Sequence, residues 1–130
     1  ERVVELLLQH SAEANVQDSD GFTALMHAAY HERVADLMIR HGAEINVQES
    51  NGGTALMYAA INGHERLVEL LLRRGAEVNL QNSIGVTALV GAAINGHEQV
   101  VEILIRRGAE INLQDSGGGT ALMYAALLNH

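Results

Sequence analysis

Histidine is the residue type in this sequence that most readily suggests chemistry, because imidazole binds transition metals and titrates near neutral pH. Four of the seven histidines recur every 33 residues, at His31, His64, His97 and His130. In a stack of equivalent units they would form a row with roughly 10 Å between neighbours, the distance between packed helices. Zinc needs all its ligands about 2 Å from one point. We therefore predict that these histidines bond to the backbone, and we expect no metal or cofactor.

The other groups that commonly carry out catalysis also lack a supporting context. The chain has no cysteine and no lysine, which excludes thiol nucleophiles, thiolate zinc sites, disulfides and catalytic lysines. The serines lie in predicted turns without a nucleophile-elbow sequence. The glycine-rich segment 117–119 has neither the Lys nor the strand–helix setting of a phosphate-binding loop. We predict that the protein is not an enzyme.

Composition indicates one globular domain and excludes several kinds of partner. The 130 residues are 48% hydrophobic and 18% charged, and their net charge is −8. An acidic chain without a basic cluster, in which aromatic residues make up 3%, predicts no binding to nucleic acid or to an anionic membrane. No apolar run is long enough to span a bilayer. No signal peptide is visible after Glu1, although a leader sequence could precede that residue.

A repeat with a period of 33 residues fills the chain. The sequence Thr-Ala-Leu recurs with spacings of 31, 33 and 33 residues, and each copy is followed by Ala-Ala. The copies begin at Thr23, Thr54, Thr87 and Thr120. A second block, Gly-Ala-Glu-Ile/Val-Asn, begins at Gly42, Gly75 and Gly108, with a weaker copy at Ser11. The short first period lacks two residues at Tyr30-His31, where the next copy reads Ile61-Asn62-Gly63-His64.

Each repeat predicts two short helices and an extended turn. In one unit, the first helix runs over 54–60 with threonine as its N-cap, and Asn-Gly ends it. The second runs over about 65–74 with a broad apolar stripe, and the turn over 77–85 carries Asn79, Gln81 and Asn82 and ends at a glycine. Ion pairs with i,i+4 spacing are predicted on the second helices, namely Glu69–Arg73, Glu102–Arg106 and Asp36–Arg40. No single unit can bury its stripe, so the units must stack.

These blocks resemble the ankyrin repeat, whose signature is T-P-L-H within a 33-residue period. Alanine replaces the signature proline at Ala24, Ala55, Ala88 and Ala121. Apolar residues that we expect in the core replace the signature histidine, at Met26, Met57, Val90 and Met123. The resemblance implies an all-α solenoid with β-hairpin-like tips. It divides the chain into a half repeat (1–22), three repeats (23–53, 54–86 and 87–119) and a second half repeat (120–130).

The resemblance also implies binding to protein partners through the tips and the exposed positions of the first helices. At the tips these positions are Ser19, Asp20 and Phe22; Ser50, Asn51 and Gly53; Ser83, Ile84 and Val86; and Ser116, Gly117 and Gly119. On the first helices they are Tyr30, Ile61, Asn62, Ile94 and Asn95. Most of these residues are small or polar, and only Phe22 and Tyr30 are large aromatic anchors of the kind that dominate interfaces. The resemblance favours an intracellular location.

The two ends of the sequence lack the polar capping repeats that a soluble array needs. The chain opens on a second helix and closes on a first helix, and Glu1 would follow His130 in phase. We expect exposed apolar faces at Val3, Val4 and Leu7 and at Met123, Leu127 and Leu128. Three interpretations remain: a fragment of a longer array, one unit of a 130-residue super-period, or a subunit that stacks head to tail.

The leading functional prediction is a non-enzymatic scaffold for protein–protein interaction. The alternative is a structural subunit, or a tandem super-repeat, that forms a continuous solenoid filament through its complementary ends. A row of asparagines, Asn15, Asn46, Asn79 and Asn112, is predicted to hydrogen-bond neighbouring turns. The sequence does not name the partner, the organism or the cellular compartment.

Overall fold

Eight helices of two alternating kinds make up the computed structural model, which describes residues 1–130 and contains no strands. The second helix of each repeat is α1 (Arg2–Gln9), α3 (Glu32–Arg40), α5 (Glu65–Arg73) or α7 (Glu98–Arg106). The first helix of each repeat is α2 (Ala24–His27), α4 (Ala55–Ile61), α6 (Ala88–Ile94) or α8 (Ala121–Leu127). First helices pack on first helices, and second helices pack on second helices, from one repeat to the next. The predicted all-α solenoid is confirmed.

Threonine begins each first helix, as predicted from its preference for the N-cap position. The Thr54 hydroxyl accepts a hydrogen bond from the Met57 amide at 3.2 Å, and its backbone is extended. The same bond recurs at Thr23, Thr87 and Thr120. Because alanine has the highest helix propensity, the residue that replaces proline at the next position continues the helix without strain.

The core lies between the two layers of helices. The second helices contribute Leu67, Val68, Leu71 and Leu104, which are almost completely buried. The signature positions of the first helices also face inward, since Met26, Met57 and Val90 are no more than 4% exposed. The prediction that these residues belong to the core is therefore confirmed. The equivalent Met123 is 57% exposed, because α8 packs on α6 alone and neither a second helix nor a following repeat covers its other side.

The tips are tight turns closed by backbone hydrogen bonds. At one tip, the Glu49 amide donates to the Gly53 carbonyl at 2.9 Å, and the Gly52 amide donates back to Glu49 at 2.8 Å. The other three tips close in the same way, at 18–22, 82–86 and 115–119. Neighbouring tips are also joined, because the Ser50 amide donates to the Asp20 carbonyl at 2.9 Å and later repeats copy this bond. The tips are hairpin-like, as expected, although they contain no strand.

The predicted asparagine row bridges consecutive repeats. Asn46 donates through Nδ2 to the Gly75 carbonyl at 3.0 Å, and its Oδ1 accepts from the Glu77 amide at 2.8 Å. Asn15 and Asn79 make the same pair of bonds to the repeats that follow them. One side chain thus satisfies two backbone groups across each junction, and net contributions of about 1 kcal/mol per hydrogen bond add to the packing energy.

Two of the predicted ion pairs within second helices are wrong. Glu69 does not pair with Arg73; it pairs with the next repeat, at 2.9 Å from Arg107 and 3.7 Å from Arg106. The predicted pair Glu102–Arg106 does not form either, since Arg106 turns toward Glu69. Stacking places the last turn of α7 beside the middle of α5, so a partner in the neighbouring helix competes with the one four residues away.

Asp36 forms ion pairs both within its own helix and with the next repeat. Arg40, four residues further along α3, lies 2.6 Å from its carboxylate as predicted, and Arg74 of the next repeat lies at 3.5 Å. These groups are partly exposed, and such pairs typically contribute about 0.2–1 kcal/mol each. The ion pairs therefore align the second helices, while the apolar core supplies most of the stability.

Candidate functional site

One surface of the solenoid combines the tips with the exposed sides of the first helices, and we call it the tip face. It contains all the positions predicted to bind partners. Most of these positions are exposed, namely Ser19, Asp20, Tyr30, Ser50, Asn51, Ile61, Ser83, Ile84, Asn95, Ser116 and Gly117. The half-buried positions are Phe22, Asn62, Val86, Ile94 and Gly119, and the one buried position is Gly53. Two predicted residues act within their own helices. Asn62 and Asn95 donate to the carbonyls of Tyr58 and Gly91, at 2.8 and 2.9 Å, and so cap α4 and α6.

An aromatic cluster joins the first two repeats on the tip face. The Phe22 ring lies between His27, with ring centroids 5.4 Å apart, and Tyr58, at 5.5 Å. Phe22 was predicted as a binding residue, but His27 and Tyr58 were not. Their signal in the sequence is the position four residues after the capping threonine, which is aromatic or imidazole in three of the four copies.

A second feature missed by the sequence reasoning is a carboxylate beside that aromatic position. Asp115, nine residues before Tyr124, accepts a hydrogen bond from the Tyr124 hydroxyl and others from the amides of Gly119 and Gly117, at 2.8 and 3.0 Å. The Tyr124 bond, followed by the Gly119 amide, holds the pKa of Asp115 below its usual value, and the same bond raises the pKa of Tyr124. These bonds attach the tip to α8.

The tip before α2 contains a weaker version of this arrangement. Asp18 accepts from the Phe22 amide at 2.9 Å and lies 3.2 Å from His27 Nε2. The backbone bond from Phe22, followed by the contact with His27, lowers the pKa of Asp18. A carboxylate whose pKa is lowered in the folded state stabilises the fold above its unfolded pKa. That contribution disappears as the pH falls through the folded-state value.

The two middle repeats differ at these positions. At the tip before α4, Glu49 is 5% exposed and accepts from the Gly53 amide at 2.5 Å. Burial, and then the nearby Glu49 carboxylate, raise the pKa of Tyr58. In the third repeat, Gly91 occupies the aromatic position, and the Ile61 side chain covers it so closely that a Cβ there would lie 2.7 Å from Ile61 Cγ1. The aromatic character of the tip face is therefore interrupted at its centre.

The recurring histidines bond to the backbone in the later repeats. His97 Nε2 lies 2.8 Å from the Ile61 carbonyl, and His130 Nε2 lies 3.0 Å from that of Ile94. The predicted structural role is confirmed for these two. No group of three or more histidine, aspartate or glutamate side chains is placed so that it can hold a metal ion.

His64 departs from this pattern because the turn that it faces, at Tyr30-His31 of the preceding repeat, is two residues shorter than its equivalents. The Tyr30 ring stands edge-on to the His64 ring, with centroids 5.5 Å apart and planes at 77°, and His64 Nε2 has no hydrogen-bond partner. The missing Asn-Gly pair leaves a surface groove of about 360 Å³ that Tyr30, Glu32, His64 and Arg66 help to line. Tyr30 itself is 60% exposed.

Charge is divided unevenly between the two sides of the solenoid. All eight arginines lie on the second helices or at their ends, where they are matched in number by acidic residues. The tips and first helices carry four acidic residues and no arginine. The acidic residues of the tip face are Asp18, Asp20, Glu49 and Asp115. The remaining four acidic residues lie in the turns that follow the second helices, at Glu13, Glu44, Glu77 and Glu110. The tip face is thus acidic, while the second helices themselves are balanced.

The predicted end residues lie on two separate apolar faces. On α1, Val3 and Leu7 are exposed and Val4 is half-buried. On α8 and at its end, Met123, Leu127 and Leu128 are exposed, Leu127 to 78%. Within one chain these two faces do not meet. The internal equivalents of Leu7, which are Leu71 and Leu104, are fully buried, and so are Met57 and Val90, which correspond to Met123. Leu127 and Leu128 correspond to positions that stay at least partly exposed inside the array, namely Ile61, Ile94, Asn62 and Asn95.

Comparison with known protein families identifies the class of this solenoid. The family model described as ankyrin repeats (3 copies) matches residues 1–82 and 74–130, which together span the chain. The protein therefore belongs to the ankyrin repeat family, whose members generally mediate protein–protein interaction and are generally not enzymes. A search of curated proteins found no match. No helix has both the length and the apolar character needed to cross a membrane.

Proposed function

We propose that the protein is a non-enzymatic interaction module that binds a protein partner along the tip face. The observation that carries this proposal is that no other part of the chain covers the tips or the outer sides of the first helices, where large side chains are exposed to solvent. Tyr30 and Ile84 are 60% and 58% exposed, and exposed aromatic and aliphatic groups on a surface supply the anchors of interfaces.

The backbone beneath these side chains supports a binding role. The bonds between neighbouring tips, together with the asparagine bridges, connect every junction of the array. Connected tips lose little conformational entropy when a partner docks, and such preorganisation favours affinity. On the tip face no nucleophile is paired with a base, and three of the four carboxylates bond instead to tyrosine, histidine or backbone amides.

Binding along the tip face is tested with variants that borrow residues from other repeats. Tyr30→Ile copies Ile61 and Ile94, and Ile84→Asn copies Asn51, so both changes suit the fold. Peptides selected on the wild-type chain from an unbiased display library are expected to bind the double variant about tenfold more weakly, as expected for the loss of two anchors. Affinity is measured by fluorescence anisotropy, and the site is mapped by amide chemical shifts.

The control for this experiment lies on the opposite surface. Gln99→Ala on α7 changes an exposed side chain of the second-helix layer and is expected to leave the affinity unchanged. If the selected peptides shift amides of α3, α5 and α7 instead, and the double variant binds normally, the tip face is not the binding surface.

A second candidate function is head-to-tail stacking of copies of this chain, which the two apolar faces favour. The exposed Leu7 on α1 is equivalent to Leu71 and Leu104, which are fully buried in helices that pack on the first helix of their own repeat. We propose that α8 of one copy covers α1 of the next, as α6 packs against α7 within one repeat. Such a contact joins two different surfaces and extends indefinitely unless the superhelix closes.

Polar groups at the two faces are also complementary. Asn79 bridges to the Gly108 carbonyl and the Glu110 amide, and Asn112 is the equivalent asparagine with no repeat after it. Ser11 and Glu13 hold the positions of Gly108 and Glu110 in the first turn. A stacked copy would therefore offer Asn112 the same carbonyl and amide that its equivalents already bind.

Stacking is tested by introducing a charge into either apolar face. Leu7→Glu and Leu128→Glu are each expected to yield a monomer with unchanged helical content, because burying an unpaired carboxylate is strongly unfavourable. The wild-type chain is expected to form assemblies whose mass rises with concentration in sedimentation velocity experiments. Ile84→Glu at a tip is the matched control and should still assemble. A wild-type chain that remains monomeric at high concentration would exclude this candidate.

A further inference from the structure

We propose that the partner bound by the tip face is a basic, arginine-bearing protein segment whose cations lie on the aromatic side chains of the first two repeats. This inference rests on the proposed binding function and adds the chemistry of the partner. It combines the uncovered sides of the first helices, the aromatic groups along them and the distribution of charge across the solenoid.

The charge distribution makes the two surfaces of the protein different for a cationic partner. On the second helices, arginines match the acidic residues in number, and some of them are paired, as in Asp36–Arg40 at 2.6 Å and Glu69–Arg107 at 2.9 Å. The tip face carries acidic side chains and no arginine to neutralise them. Because complementary potentials steer association and select partners, a basic segment is favoured at the tip face and gains little on the opposite layer.

The aromatic groups give that cation a specific position. Three of the four Phe and Tyr residues of the chain lie on the first helices of the first two repeats or close to their ends, namely Phe22, Tyr30 and Tyr58. Asp18 lies beside the cluster, since it contacts His27, which stacks on Phe22. A cation over an aromatic ring gains electrostatic energy, and the planar guanidinium also stacks on the ring. Rings and carboxylates at one place therefore favour arginine over other side chains.

The middle of the tip face suits the rest of an extended segment. The Ile61 side chain covers Gly91, and Ile84 projects from the third tip, so the surface beyond the aromatic cluster is uncharged and includes apolar side chains among small polar ones. The aliphatic stems of arginine or lysine can lie on such a surface while their charged ends remain in solvent. The segment would thus run from the aromatic repeats toward the third tip.

The inference is tested by titrating the intact 130-residue chain with three short peptides of alternating sequence, Ala-Arg, Ala-Lys and Ala-Glu. At physiological ionic strength, the Ala-Arg peptide is expected to bind most tightly and the Ala-Glu peptide not at all. Amide chemical shifts should change at Phe22, Tyr30 and Tyr58, and remain constant along α5 and α7. Equal binding of the Arg and Glu peptides would overturn the proposal.

Variants taken from other repeats separate specific recognition from the effect of net charge. Asp18→Asn and Asp20→Asn copy Asn82 and Asn51, and together they should weaken Ala-Arg binding about fivefold, as expected for two exposed charge contacts. Glu65→Gln and Glu98→Gln remove the same number of charges from second helices and should have less than about a twofold effect. Equal losses in both pairs would mean that only net charge matters, and the proposal would then be wrong.

An aromatic variant tests the other half of the inference. Phe22→Val, which copies Val86, together with Tyr30→Ile, should weaken Ala-Arg binding about threefold to tenfold and reduce the preference for Arg over Lys. Peptides from the unbiased library distinguish this inference from the proposed function. If selected peptides bind the tip face without being basic, only the partner chemistry is wrong; if none binds there, both proposals fail.

Discussion

Replacing Leu71 with alanine is expected to lower the free energy of unfolding by about 3 kcal/mol, a typical cost for a fully buried leucine. Leu71 is 0% exposed and lies where α5 meets the neighbouring helices. The same substitution at Leu7, its equivalent in α1, is expected to cost less than about 1 kcal/mol, because Leu7 is already 57% exposed. The two variants differ in burial and hardly at all in local sequence.

Urea unfolding monitored by circular dichroism measures both effects. If the two variants lose the same stability, the position of a leucine in the stack does not determine its contribution, and the packing described for the core is wrong. A related outcome is informative about assembly: at concentrations where copies stack through α1, the cost of Leu7→Ala should rise toward that of Leu71→Ala. The unfolding of both variants should therefore be measured at low and at high protein concentration.

Replacing Gly85 with alanine is the second large effect, with an expected loss of about 3 kcal/mol. Gly85 has a φ of +78°, and a Cβ there would lie 2.9 Å from both Asp115 Cα and the Ser116 amide nitrogen. The left-handed conformation costs an alanine roughly 1 kcal/mol. The remainder comes from forcing apart the backbones of two neighbouring tips, which cannot rotate away as a side chain can.

Gly118→Ala provides the matched comparison, because this variant also places an alanine in the left-handed conformation but brings its Cβ close to no neighbouring backbone. Gly118 has a φ of +82°, but the nearest atom to its Cβ would be Gln114 Nε2 at 3.8 Å. We expect a loss of about 1 kcal/mol from the backbone conformation alone. Thermal unfolding of the two variants gives the difference directly. Equal losses would show that the tips are not held against one another in solution.

The helices and their stacking could be predicted from the sequence, because both depend on local and periodic signals. Threonine caps and the apolar stripe place α4 and α5 within about one residue of their observed bounds, the usual uncertainty of helix ends. The asparagine bridges were also predictable, since a polar residue repeated at one position in a stacked array faces its own copies. Repetition makes the neighbours of each residue known in advance.

Contacts that depend on the angle between repeats could not be predicted in this way. Whether Glu69 forms an ion pair with Arg73 or with Arg107 depends on how far α7 is displaced along α5. No single residue in either helix indicates that displacement. The bond from Tyr124 to Asp115 requires the tip to fold back over its own helix. The short turn at Tyr30 was visible as a deletion, but its consequence for His64 depends on the ring that replaces the missing residues.

The asparagine bridges have a consequence for how such a protein can change over generations. Each bridge, like each bond between tips, connects a repeat only to the next one. A gene that gains or loses a whole 33-residue unit therefore preserves every junction that remains, and the new unit arrives with its bonding partners in place. Length and surface chemistry can then evolve separately: duplication extends the platform, while substitutions at positions such as Phe22, Tyr58 and Gly91 diversify what each copy presents.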